Sequence, residues 1–119
     1  MDAYLDKTVK SASTLLGRWV DANVLVRQLP VAPRFLEVVL FRSADEVRDS
    51  NLCLYFDPLW FEGAFSWSDS RMQVRAVPAA SSLVASRTSY ESVLELSDEA
   101  SRFRCLTESL EVKENVRLK

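Results

Sequence analysis

Seven carboxylates crowd the last third of this chain. Glu91, Glu95, Asp98, Glu99, Glu108, Glu111 and Glu114 face only Arg102, Arg104 and Lys113 between residues 91 and 114. What such a set can do depends on its company. Acid–base catalysis near neutral pH usually recruits histidine, which is also the commonest metal ligand, and the chain has none. Its two glycines, Gly17 and Gly63, are isolated, which excludes a glycine-rich phosphate loop. Serine is frequent, yet no nucleophile elbow or Ser-x-x-Lys pattern occurs. The carboxylates therefore point to docking rather than to bond-making, and no catalytic residue, metal or cofactor is expected. Complementary charge steers encounters and raises their on-rate, so the partner class is a basic protein such as a nuclease. Plain solubility accounts for the same charge balance, but no other large feature names a partner.

Three further groups could carry chemistry. Trp60, Phe61, Phe65 and Trp67 place four large rings within eight residues. They suit an interface anchor or a stacking platform. Core packing is the expectation, with Phe61, Phe65 and Trp67 on one face and Trp60 as the exception turned toward a partner. Arg71, Arg75 and Arg87 form an acid-free basic row that could grip phosphate or carboxylate. No aromatic residue stands beside them on the outward face, so a solvated strand face is expected. Cys53 and Cys105 lie inside apparent strands and are expected to be buried free thiols. Two isolated cysteines without histidine make a poor zinc site.

These residues need a scaffold, and the apolar spacing supplies one. Leu5, Val9, Ala12, Leu16 and Trp19 recur at helical steps, predicting a helix over 3–16 with Asp2 as N-cap and Gly17 as its stop. From Trp19 the period changes to two. Val20 to Val26 reads as a strand, interrupted by Pro30 and Pro33. Phe35 to Arg42 is apolar on both faces, as a central strand covered on both sides would be. Leu52–Phe56, Trp60–Trp67 and Arg71–Val77 follow, the last with Met72, Val74 and Ala76 inward. Pro78–Arg87 reads as a long connection. Tyr90–Leu96, a turn at Ser97-Asp98-Glu99, Phe103–Thr107 and Leu110–Leu118 complete the pattern. The expectation is α+β, mainly β: one N-terminal helix plus about eight short, mostly antiparallel strands in a curled sheet or sandwich. Residues 1–119 form a single domain.

The bulk numbers agree with that scaffold. A chain of 119 residues buries roughly two-thirds of its unfolded surface and needs no staples. No apolar run approaches the roughly 20 residues of a membrane span. The first residues are acidic where a secretory leader would be basic, so cytoplasmic residence is expected. A net charge of −2 disfavours direct binding to nucleic acid, which rests on neutralising phosphates.

The succession Trp19-Val20-Asp21-Ala22, Phe35-Leu36-Glu37-Val38-Val39-Leu40-Phe41, Leu52-Cys53-Leu54-Tyr55-Phe56 and Phe103-Arg104-Cys105 resembles small β-rich bacterial immunity proteins. Those accompany the toxins of polymorphic and contact-dependent inhibition systems. The resemblance implies cytoplasmic residence, an acidic surface and a stoichiometric function: occluding a cognate toxin. Such families share no catalytic residues to carry over. Two alternatives accompany it, a sheet holding a small apolar ligand or sugar around Trp60 and Trp67, and an accessory domain of a larger assembly.

Overall fold

Where a strand alternates, its apolar residues share one face, so a second layer is needed to bury that face. A computed structural model describes residues 3–29, 32–99 and 101–118. Helix α1 (Ala3–Arg18) is followed by β1 (Asn23–Leu29), β2 (Ala32–Phe41), β3 (Leu52–Phe56), β4 (Pro58–Glu62) and β5 (Ser66–Trp67). Then come β6 (Gln73–Pro78), a 3-10 turn at Ala79–Ser81, β7 (Ser92–Asp98), β8 (Phe103–Thr107) and β9 (Glu111–Glu114). One sheet runs β5-β1-β2-β3-β9 and the other β4-β8-β7-β6, and every pairing is antiparallel. The α+β, mainly β architecture is as the sequence predicts, with nine strands among the described residues rather than about eight. None of the described helical residues makes a helix long and apolar enough to cross a membrane.

The main core lies between the two sheets. Val24, Val26, Leu36, Val38, Leu40, Leu52, Leu54 and Phe56 of the first sheet meet Val74, Leu94, Leu96, Phe103 and Cys105 of the second. Leu5, Ala12 and Leu16 bring α1 into the same core, against β6 and β7. A smaller core forms on the outer face of the second sheet. There the connection after β6 folds back and packs Ala79 and Val84 on Val93 and Leu106. Both cysteines are free and fully buried, as expected.

Several boundaries differ from the sequence pattern. Gly17 does not stop α1, which runs on to Arg18. Instead Arg42 donates to the carbonyls of Arg18 (2.8 Å) and Val20 (2.9 Å), placing a cation on the helix C-terminus. The predicted N-cap Asp2 and the strand-breaker Pro30 lie outside the described residues. Pro33 falls inside β2, but where the register with β1 slips from Gln28↔Leu36 to Leu29↔Ala32. A residue without an N–H costs no ladder bond in such a bulge. Ala76 is exposed rather than inward. Asp98 is the last residue of β7, not part of a turn, and is buried. The last strand is only Glu111–Glu114, because Asn115 turns with φ 58°.

Beyond that turn the chain is tied down by buried Asn51. Its amide donates to the carbonyls of Val47 (2.6 Å) and Val116 (2.8 Å), and its Oδ1 accepts from the Val116 N–H (2.9 Å). Asn51→Ala would strand those groups and is expected to cost about 2 kcal/mol, read as a lowered denaturant midpoint.

The predicted strand Trp60–Trp67 is in fact two strands in two different sheets. β4 pairs with β8, β5 pairs with β1, and the chain crosses between layers at Gly63. Gly63 has φ 115°, and a Cβ there would lie 2.6 Å from the Phe103 Cα and 2.9 Å from the Arg102 carbonyl oxygen. Backbone meets backbone, so no side chain can yield. Gly63→Ala is therefore expected to lower the unfolding free energy by at least ~2 kcal/mol. An unchanged midpoint in urea would show that the crossing tolerates a Cβ.

Candidate binding surface

The acidic third does not form one surface; the strands deal its residues to different places. On β7, alternation sends Val93, Glu95 and Ser97 to the outer face of the second sheet and Leu94 and Leu96 inward. The registers Arg75↔Glu95 and Ser97↔Arg104 set arginines straight across and diagonally from Glu95. The Glu95 carboxylate, only 4% exposed, accepts from Arg75 Nε at 2.8 Å and from Arg104 Nε at 2.7 Å. Burial pulls its carboxyl upward, but the bonds and charges of Arg104 and Arg75 outweigh that and hold it below the usual carboxylate range. The Arg104 guanidinium in turn lies 5.6 Å over the half-buried Trp60 ring.

Asp98 is likewise taken up by the fold. Its Oδ2 accepts from Trp67 Nε1 (2.8 Å) and from the Arg71 backbone N–H (2.9 Å). Glu114, half-buried, accepts from Trp19 Nε1 at 2.9 Å and pairs with Arg18 at 3.3 Å. Glu99 is exposed, but in the turn after β7, away from the strand's start. Three predicted residues remain together. Glu91 precedes β7, Glu108 follows β8 and Glu111 opens β9, so antiparallel pairing brings all three to one end of the sandwich. Glu91 and Glu111 are exposed, while Glu108 is half-buried and accepts from the Thr88 hydroxyl at 2.6 Å. Glu111 also meets Lys113 at 3.0 Å.

Two exposed apolar residues were not singled out in the sequence. Leu83 and Tyr90 sit on the connection between β6 and β7, Tyr90 beside Glu91, and are 62% and 56% exposed. Leu83 falls in the predicted connection, whereas Tyr90 opens the predicted strand Tyr90–Leu96; β7 begins only at Ser92, which leaves Tyr90 on the connection.

The aromatic group splits. Trp67 packs on Phe103 at 5.2 Å between centroids, inside the sandwich. Trp60 packs on the outer core, so the two tryptophans line no common cavity. Phe61 and Phe65 are 39% and 56% exposed and make edge-to-face contact at 6.1 Å, which overturns the core expectation for both. The crossing at Gly63 leaves them at the margin of the sheets. The basic row is exposed, as expected, but its members do different things. Arg71 faces Asp21 at 3.6 Å, Arg87 donates to the Leu59 carbonyl at 2.8 Å, and Arg75 serves Glu95.

Among the described residues no cluster of three or more His, Cys, Asp or Glu could hold a metal ion. An apolar cleft of about 670 Å³ opens between Tyr4, Leu29, Phe35, Tyr55, Phe56 and Leu110, with Glu111 and Lys113 at its edge.

Because Glu95 sheds its proton more readily in the folded state, its stabilisation is complete above the ordinary carboxylate value of 4.5. It drains away as pH falls through the lower folded-state value. Glu95→Gln is expected to lose roughly 1–3 kcal/mol at pH 7 by leaving two adjacent guanidiniums without their shared counter-charge. The variant should also show a flatter fall of stability between about pH 5 and pH 3, measured by urea unfolding across that range. No family model matches this chain, and no curated protein or solved structure matches it either.

Proposed function

We propose that this protein is a stoichiometric protein-binding module that neutralises a cognate bacterial toxin with a basic surface by occluding it. One observation carries the reading: Tyr90, more than half exposed, adjoins Glu91 at the end of the sandwich that also carries Glu108 and Glu111. An apolar and aromatic anchor with charges around it is the usual anatomy of a binding hot spot. The carboxylates steer a basic partner, and the anchor supplies the desolvated contact. Burial of Glu95 and Asp98 moves the predicted interface away from the middle of β7 to this end. Trp60, half-buried beneath Arg104, belongs to a different surface and has no part in this reading.

A small-ligand reading draws on the apolar cleft between Tyr4, Phe35 and Tyr55, since clefts of about 300–1,000 Å³ are typical of such sites. It ranks second because the charged groups at the edge of that cleft, Glu111 and Lys113, already pair with each other.

The toxin reading is tested with an inactivated toxin from the neighbouring reading frame. Glu91, Glu108 and Glu111 reversed together to lysine should weaken the complex at least about tenfold, chiefly through the association rate. Tyr90→Ala should cost about 2 kcal/mol of affinity and abolish protection of cells that make the active toxin. Full affinity and full protection in both variants would remove this end of the molecule from the interface.

A further inference from the structure

The buried Glu95 does more than neutralise its neighbours, because of which nitrogen it uses on each. Both arginines bond to it through Nε, the guanidinium nitrogen nearest the chain. That leaves the two terminal amino groups of Arg75 and of Arg104 with no hydrogen bond among the described residues, on side chains 68% and 40% exposed. One carboxylate serves two guanidiniums, so the group carries a net charge of +1. Its geometry is fixed from below: Glu95 has almost no freedom at 4% exposure, and Trp60 supports the Arg104 plane. Two pre-oriented guanidinium forks with unspent donors are the arrangement that takes a tetrahedral oxyanion in a bidentate manner.

Two grooves flank the pair, and their linings select between them. The groove toward the β7–β8 turn also holds Glu62, Asp98 and Glu99, which would repel an anion. The groove on the other side, about 340 Å³, is lined by Arg75, Arg104, Ser81, Ser82 and the Ala76–Pro78 stretch. Its only acid is Glu95, whose two oxygens are already taken. We infer that this second groove is a phosphate-binding site in which Arg75 and Arg104 clamp a phosphate monoester or a free phosphate. The inference stands apart from the toxin reading, since it concerns the outer face of the second sheet and a ligand of opposite charge.

The test is a heteronuclear NMR titration at low ionic strength that follows the Nε–H signals of Arg75 and Arg104. Inorganic phosphate and O-phosphoserine are the probes, and acetate is the comparator. Saturable shifts are expected, with phosphate at least about tenfold tighter than acetate. A preference for O-phosphoserine over inorganic phosphate would identify a phosphorylated segment as the source, and the reverse a free ion. Ser81→Glu puts a carboxylate into the groove without touching the arginines and should abolish binding. Arg75→Lys keeps the charge opposite Glu95 but removes the fork, and should weaken binding about tenfold. Arg71→Gln should bind as the parent does. Shifts that rise linearly without saturating, equal response to acetate, or undiminished binding in Ser81→Glu would each overturn the site.

Discussion

A carboxylate cannot stay charged inside a protein without fixed donors or a cation beside it, and among the described residues this sandwich buries three. Glu37, Glu95 and Asp98 are each at most 3% exposed. Glu37, on β2, bonds to Arg27 of β1. Glu95 gathers Arg75 of β6 and Arg104 of β8 onto β7. Asp98 draws Trp67 of the five-stranded sheet onto the end of the four-stranded one. Every one of these acids thus ties its own strand to another, and removing Arg27 would leave the buried Glu37 carboxylate without its cation, typically at about 3–5 kcal/mol. Hydrophobic burial supplies the bulk of the driving force, but it is indifferent to register. The carboxylates are not, because a one-residue slip would turn each of them to the opposite face.

That role reshapes the electrostatics of the molecule. The acidic excess between residues 91 and 114 overstates what a partner could meet, since Glu95 and Asp98 are enclosed and Glu114 is engaged by Trp19 and Arg18. What reaches solvent is a smaller set at one end, beside Tyr90. Meanwhile the middle of the second sheet, acidic by count on β7, becomes locally positive, because Glu95 cancels only one of the two guanidiniums it holds. Opposite ligand chemistries can therefore be supported within one small domain.

Period-two spacing made the layers legible. The strands at Leu52–Phe56 and Phe103–Thr107, the alternation of Met72 and Val74 with Gln73 and Arg75, and the buried thiols all follow from residue type alone. The division of Trp60–Trp67 between two sheets did not, because the only hint was Gly63, and its necessity comes from the Phe103 backbone forty residues away. Asp98 read as a turn residue by composition, although β7 runs through it, and Glu95 was misplaced for a related reason. A carboxylate in an alternating strand reads as solvent-facing until its cross-strand neighbours are known, and those depend on register. The outward order Arg75, Glu95, Arg104 was present in the pattern, and correct strand pairing would have assembled it. Leu83 offered no period at all, and Tyr90 read as the start of a strand that begins only at Ser92.

The thiols have a consequence of their own. Cys53 sits in the five-stranded sheet and Cys105 in the four-stranded one, each fully enclosed. Burial pushes the Cys53 thiol up to about 11 and the Cys105 thiol higher still. Since only the thiolate reacts with alkylating reagents, each cysteine stays silent until its own layer opens. The molecule thus contains a pair of natural clocks, and comparing their two labelling rates would tell whether the layers part together or one at a time.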